Sequence, residues 1–281
     1  MPRRLSDLYR TAFVTGASTG LGRAFAEMLL NEGVKVWGTS RDSGRLQPLQ
    51  ASAPAAFTPL PMELSDGAAA ERAFLAADDA AGGFDIVINN AGFGAFGDFA
   101  DTDFAVWERQ IAIMLTNTAR LSHAAIRRMR GRGGKPRAAL VNISSLAAEF
   151  PLPYQAAYNI CKAGLTALNE SLMIEWANSN LIVLDVRPGD YRTDFEGSVA
   201  RPPQSRPDAR RDRAWAAFQR MMQSGPAPEH AADALRRALL RGRSDTVRTG
   251  RFFQATIAPL LARFGTLRLK RRVQDRYFDL S

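Results

Sequence analysis

The sequence of 281 residues contains one Cys, Cys161, two His, His123 and His230, and only four Lys among its 37 basic residues. One thiol cannot build a disulfide framework, and Cys161 with two His falls short of the about four ligands of a structural zinc site. No metal is expected. Long apolar runs are missing as well: no stretch reaches the roughly 18 uninterrupted apolar residues of a membrane span. The nearest, 252–264, is short and broken by Gln254, Pro259 and Arg263. A lone Cys suits a reducing compartment, and the opening MPRRLSDLYRTAFVTG has no apolar h-region, so the expected location is cytoplasmic.

Acidic residues are scarce at one end only. The chain carries 37 basic and 28 acidic side chains, a net charge of +9. Residues 1–200 hold 19 basic and 21 acidic side chains (−2), whereas 201–281 hold 18 and 7 (+11). The basic excess is therefore confined to the last 81 residues. A compositional preference for Arg accounts for the skew as readily as phosphate recognition does, so nucleic acid is not an expected partner.

Short apolar runs alternate with longer helical patterns through the first 190 residues, the sequence signature of parallel strands joined by crossover helices. Strands are predicted at 11–15, 35–39, 57–62, 85–89, 138–143 and 181–187, and helices at 21–31, 66–80, 103–130 and 154–177. The strands are nearly continuous in apolar residues, so the sheet is expected to be covered on both faces. This predicts a doubly wound α/β fold of Rossmann type. Past Pro188, residues 201–212 are rich in Pro, Arg and Ser without periodicity and read as a loop or lid. A helix at 229–241 and a strand at 246–251 follow. The expected organisation is one domain, 1–251, with a helical lid at about 194–225, and a basic apolar tail, 252–281.

Directly after the first strand comes Thr15-Gly16-Ala17-Ser18-Thr19-Gly20-Leu21-Gly22, opening into a helix. Gly16 permits a tight turn, Gly20 a close approach of backbone to a pyrophosphate, and Gly22 close packing of helix on strand. Phosphates would sit at the positive end of that helix, with Ser18, Thr19 and Leu21 around them. A glycine-rich turn without a ligand is the plainer alternative. The second strand ends at Thr39-Ser40-Arg41, where an NAD-specific site would place a carboxylate on the ribose 2′-hydroxyl. Ser40 stands there instead, and the Arg41 guanidinium can grip a 2′-phosphate, which predicts NADP(H) over NAD(H). Alternatively Arg41 is a solvated loop residue beside Asp42.

Tyr158 and Lys162 are spaced i, i+4 and share one helical face. A cation beside a phenol favours phenolate, pulling its pKa from about 10 toward the working range of a general acid/base. Ser145, at the end of the preceding strand, is placed to orient a substrate oxygen. Taken singly, each has a structural reading: core aromatic, surface charge and helix cap.

Together, Thr15 to Gly22, Asn89-Asn90-Ala91-Gly92, Ser145, Tyr158-x-x-x-Lys162 and Pro188-Gly189 stand in the order and spacing of one family. The chain resembles the short-chain dehydrogenases/reductases of the compact single-domain branch over residues 10–251. The resemblance implies an oxidoreductase acting between a carbonyl and an alcohol. In it, Tyr158 is the proton donor or acceptor and Ser145 positions the carbonyl. Lys162 binds the nicotinamide ribose while lowering the Tyr158 pKa, Thr193 holds the carboxamide, and Asn90, Ala91 and Gly92 line the adenosine side. It also implies a homo-oligomer.

Two positions depart from the family pattern. Glu63, before Leu64, replaces the usual Asp beside the adenine. Met114 falls where the family carries its catalytic-tetrad Asn, and a thioether cannot make an amide's hydrogen bonds. Asn117, three residues on, either compensates or is simply a polar residue on the sheet-facing side of the helix.

Phe93, Phe96, Phe150, Leu152, Tyr154, Tyr191 and Phe195 are expected around an apolar pocket, or else packed beneath the lid. The lid would contain Trp215, Phe218, Met221 and Met222. The expected activity is an NADP(H)-dependent carbonyl reductase or alcohol dehydrogenase for a lipophilic or aromatic substrate; a cofactor-binding sensor or scaffold with weak turnover is the alternative that Met114 keeps open. In the tail, Ile257, Leu260, Leu261, Phe264 and Leu267 recur at helical spacing before Arg268, Lys270, Arg271 and Arg272. Such a segment docks on its own domain, on another subunit or on an anionic membrane surface.

Overall fold

A computed structural model describes residues 3–130 and 137–280. Parts of the expected domain and tail, residues 1, 2, 131–136 and 281, lie outside the described residues. Seven parallel strands form the central sheet: β1 (Thr11–Val14), β2 (Lys35–Ser40), β3 (Phe57–Pro61), β4 (Ile86–Asn89), β6 (Ala138–Ile143), β7 (Leu181–Pro188) and β9 (Asp245–Thr249), in the order β3-β2-β1-β4-β6-β7-β9. A separate parallel pair joins β5 (Gly94–Ala95) to β8 (Val199–Ala200).

Alternate side chains of each strand enter opposite faces, and both faces are covered. Ala12, Val14, Ile86, Ile88, Val141, Leu184 and Val186 pack with Phe25 and Leu29 of α1 (Gly20–Asn31) and Leu235 and Leu239 of α8 (Pro228–Arg241). Their neighbours Phe13, Val87, Leu140 and Val183 meet Phe74 of α3 (Gly67–Ala80), Leu121 and Ala125 of α5 (Asn117–Arg130), and Cys161 and Leu172 of α6 (Ala156–Glu175). Phe13 meets Phe74 edge-on at 5.1 Å between ring centres. The sheet reverses winding between β1 and β4, so the crevice at their C-terminal ends is where a ligand site is expected in such a fold.

Four features differ from the predicted pattern. A short helix α2 (Gln47–Ser52) and the β5–β8 pair are too brief to leave a readable period. The helix expected at 103–130 is divided into α4 (Phe104–Ile111) and α5 by a π-helical turn, Ala112–Thr116. Its extra residue rephases the helix: Ile113 and Met114 are buried, while Leu115 sits against Gly164 of α6, where a Cβ would come within 2.9 Å of its methyls. The loop expected at 201–212 becomes helical at Ala209, where α7 (Ala209–Ser224) begins. Asp208 caps it by accepting from the Arg210 amide (2.8 Å), and Ala214, Ala217, Phe218 and Met222 bury its inner stripe. As its helical spacing implies, the tail forms α9 (Ala258–Phe264) and α10 (Leu267–Tyr277), preceded by a π-helical turn, Phe253–Ile257. Among the described residues no helix is long and apolar enough to cross a membrane.

Candidate active site

One cavity of about 1140 Å³ runs along the C-terminal ends of the strands, above the roughly 1,000 Å³ that bounds most small-molecule pockets. Every predicted site residue except Gly22 lines it: Gly16, Ser18, Thr19, Gly20, Leu21, Ser40, Arg41, Glu63, Leu64, Asn90, Ala91, Gly92, Ser145, Tyr158, Lys162, Pro188, Gly189 and Thr193. Gly22 lies behind them, where a Cβ would come within 2.2 Å of the Gly16 carbonyl oxygen and 2.4 Å of Asn90 Nδ2. This clash explains why the position needs glycine. Gly16 and Gly20 hold φ of +68° and +56°, strained for side-chain-bearing residues.

The β1 and β4 ends are tied together by Thr15. Its hydroxyl accepts from the Asn90 and Ala91 amides (2.9 and 3.0 Å), while Asn90 Nδ2 donates to the Thr15 carbonyl (3.0 Å). This fixes the wall opposite the glycine turn and leaves a groove with the N-terminus of α1 at its floor, suited to a diphosphate. At the outer end, Arg45 lines the cavity together with Arg41, a second guanidinium that sequence reasoning missed. The only signal for it was its spacing of four residues from Arg41. The Ser40 hydroxyl accepts from the Asp42 amide (3.2 Å), and Asp42 in turn accepts from the Gly44 amide (2.9 Å). The residues present thus fit a dinucleotide: a glycine cradle without side-chain obstruction and cations at the far end.

At the inner end Ser145, Tyr158 and Lys162 converge. Ser145 Oγ accepts from the Ala147 amide (3.0 Å) and donates to the Pro188 carbonyl (3.4 Å). Lys162 Nζ donates to the Ile143 carbonyl (2.7 Å) and stands 5.5 Å from the centre of the Tyr158 ring. Burial raises the Tyr158 pKa to about 12; a hydrogen bond from Ser145 opposes this, and the Asp190 and Cys161 charges add to it. Burial likewise lowers Lys162 to about 8, against the pull of Cys161 and Asp185. In the protein without cofactor, desolvation of the phenolate sets the direction of the shift, and only the Ser145 hydrogen bond opposes it.

Met114 also lines the cavity, buried, with its sulfur 3.6 Å from Gln110 Nε2. Asn117 does not take over the tetrad position. Its Nδ2 donates to the Leu64 carbonyl (2.7 Å), fastening α5 to the loop after β3. Glu63 remains exposed, its carboxylate accepting from the Ser65 amide (3.1 Å).

Phe93, Phe150, Leu152, Tyr191 and Phe195 line the cavity as expected, joined by Phe218 and Met222 of the lid. Phe96 and Tyr154 do not: Phe96 packs edge-on against Trp215 at 5.0 Å, and the Tyr154 hydroxyl donates to Asp208 (3.1 Å), anchoring the start of α7. Packing beneath the lid claims these two because the β5–β8 pair, which could not be read from the sequence, draws Phe96 under it. Sequence reasoning also missed that the tail reaches this cavity. Asp190 Oδ2 accepts from Gln254 Nε2 (2.5 Å) and from the Tyr277 hydroxyl (2.6 Å), and Gln254, Tyr277 and Phe278 are part of the lining.

Residues 10–204 match the family model described as short chain dehydrogenase. An uncharacterized oxidoreductase of Schizosaccharomyces pombe is 30% identical over 217 residues, 76% of this chain and 72% of that protein. The pig protein named carbonyl reductase (NADPH) 2 is 31% identical over 193 residues, 69% of this chain and 76% of that protein. A solved short-chain dehydrogenase from Streptomyces avermitilis superimposes with a TM-score of 0.82 at 27% identity, covering 95% of this chain and 96% of that one. With its sheet order, its glycine turn and its Ser-Tyr-Lys cluster, the chain belongs to the short-chain dehydrogenase family of oxidoreductases.

Proposed function

We propose that the protein is an NADP(H)-dependent oxidoreductase that interconverts a lipophilic ketone or aldehyde with its alcohol. The observation that carries this reading is the convergence of Ser145, Tyr158 and Lys162 at the end of a groove that continues into an apolar chamber walled by Phe93, Phe150, Phe195 and Phe218. Arg41 and Arg45 at the opposite end support NADP(H), because two guanidinium groups suit a 2′-phosphate better than a bare ribose hydroxyl. The pig relative carries NADPH in its name, which agrees with this choice.

The nicotinamide, when bound, supplies or accepts the hydride at the substrate carbon. The chain's own residues handle the oxygen. Ser145 offers a hydroxyl to it, and Tyr158 gives it a proton in reduction or takes one in oxidation. A phenol raised to about 12 is protonated at neutral pH, which suits donation to a carbonyl oxygen. The buried Lys162 ammonium then stands beside the phenolate that donation leaves behind. The test is loss of NADPH absorbance with a panel of lipophilic carbonyls. Turnover by the native protein that disappears in Tyr158→Phe, with NADPH binding retained, supports the reading; turnover unchanged by that substitution overturns it.

A second reading, a cofactor-binding sensor or scaffold with weak turnover, draws on one observation. Met114 stands at the tetrad position while the amide of Asn117 is committed to Leu64. Tight NADPH binding without carbonyl-dependent oxidation would favour it.

A further inference from the structure

The C-terminal segment has an inner and an outer side. On the inner side Phe278 is buried, and Gln254 and Tyr277 hold Asp190 beside the cavity. On the outer side Ile257, Leu260 and Phe264 follow one another at spacings of three and four residues, which fall on one helical face. Phe252, before the π-helical turn, and Leu267, at the start of α10 past the break at Gly265, flank it in sequence. Phe252, Leu260, Phe264 and Leu267 each expose more than half of their surface. From Phe252 to Tyr277 the sequence has six basic residues and one acidic, Asp275, which pairs with Arg210 at 3.3 Å.

Charge decides what suits this face. A second copy docking through the same patch in a two-fold contact would set six cations against six with a single carboxylate on each side, Asp275, already paired with Arg210. Nucleic acid would pair the cations but leave the row of phenylalanines and leucines in water. An anionic bilayer satisfies both, with acyl chains for the apolar side chains and headgroup phosphates for the guanidinium and ammonium groups beside them.

We propose that the segment from Phe252 through α10 docks on an anionic lipid surface, with Phe252, Leu260, Phe264 and Leu267 entering the acyl boundary and Arg268, Lys270, Arg271 and Arg272 held at the headgroups. Phe253, Ala258 and Val273 of the same segment line the cavity, so docking sets the cavity wall beside the lipid. Resting on the carbonyl-reductase reading above, the substrates are then carbonyl compounds dissolved in the membrane.

The experiment uses the full chain, a Phe252→Ser/Leu260→Ser/Leu267→Ser variant and an Arg268→Gln/Lys270→Gln/Arg271→Gln/Arg272→Gln variant. All are sedimented with vesicles of phosphatidylcholine alone or mixed with phosphatidylglycerol. The native protein is expected to pellet with the mixed vesicles at least about tenfold more strongly than with phosphatidylcholine, and both variants to lose that preference. None of the substituted residues lines the cavity, so turnover of a small water-soluble carbonyl is expected to be unchanged and reports that the variants fold. A long-chain ketone embedded in mixed vesicles should be reduced more slowly by the serine variant than by the native protein.

Native protein left in the supernatant, or equal binding to both vesicle types, overturns the docking. So does a concentration-dependent dimer that the serine substitutions dissociate, which assigns the face to a second copy. Equal rates on the embedded ketone overturn lipid-phase delivery. No turnover of either carbonyl by any form overturns the carbonyl-reductase reading, with the docking still decided by sedimentation.

Discussion

Lys162 donates to the Ile143 carbonyl at 2.7 Å while standing 5.5 Å from the Tyr158 ring, so one buried cation is held by β6 and faces the phenol of its own helix. Burial places Lys162 near pH 8, within the range where enzymes work. We expect kcat/KM for NADPH-dependent reduction to follow an ionisation near that pH. Lys162→Arg, which stays charged throughout, should remove the inflection. Lys162→Met should cost about two orders of magnitude or more in turnover, within the range assigned to acid–base groups. A pH–rate profile of the three proteins checks this, and an inflection that persists in Lys162→Arg would assign it to another group.

Met114 and Asn117 separate kinetically. Gln110 Nε2 stands 3.6 Å from Met114 Sδ, and its Oε1 is buried without a hydrogen-bond partner among the described residues. Met114→Asn sets a second amide beside that of Gln110, so the substitution should fold and raise kcat several-fold if the polar group is what the site lacks. Asn117→Ala removes only the bond to the Leu64 carbonyl. It should lower stability by about 1–2 kcal/mol and leave kcat unchanged. Thermal melts and steady-state kinetics on both variants test the distinction; a fall in kcat with Asn117→Ala would return that residue to the proton path.

What could be read in advance was local. The turn from Thr15 to Gly22 and the Tyr158–Lys162 pair each lie within one element or one connection, where spacing alone implies geometry. The closure of the cavity by the tail was not legible, because Asp190 and Tyr277 meet across 87 residues and neither carries a pattern that announces the other. The start of the lid helix was hidden by composition: the Pro- and Arg-rich approach to Asp208 obscures a cap and a buried stripe that only make sense against Phe96 and Trp215. Asn117 could be placed on a helix face but not assigned a partner, since the loop carrying Leu64 stands 53 residues away in sequence.

Arg41 and Arg45 both reach the outer end of the groove, and losing them should change cofactor choice more than chemistry. Charge-assisted hydrogen bonds are worth about 1.5–3 kcal/mol each. Arg41→Ala/Arg45→Ala should therefore raise KM for NADPH by about tenfold or more, with KM for NADH and kcat little altered. Parallel titrations with the two cofactors decide it. Equal weakening toward both would mean that the two residues act on the shared adenosine and not on a 2′-phosphate.

Alkaline stability should show two opposed phases. Tyr9, Tyr158 and Tyr191 are each raised by burial from the ordinary 10.0 to about 12. Between those values the unfolded chain has released protons that the folded chain retains, so stability falls as pH rises through the interval. Lys162 is lowered from 10.5 to about 8, so between those values the unfolded chain binds the extra proton and stability rises with pH. Burial also raises the Cys161 thiol from 9.0 to about 11, which offsets the Lys162 gain above pH 9, so the sum is a gain from about pH 8 to 9, a level stretch to 10, and a fall above 10 where the buried phenols ionise. Tyr9 is not part of the cavity lining and donates to the Leu239 carbonyl at 3.3 Å. Tyr9→Phe should therefore flatten the fall above pH 10 and leave the rise below it in place, whereas Lys162→Met should abolish the rise and keep the fall. Melting temperatures followed by circular dichroism across this range measure both. A Tyr9→Phe curve parallel to that of the native protein above pH 10 would show that its phenol ionises as freely in the folded state as in the unfolded one.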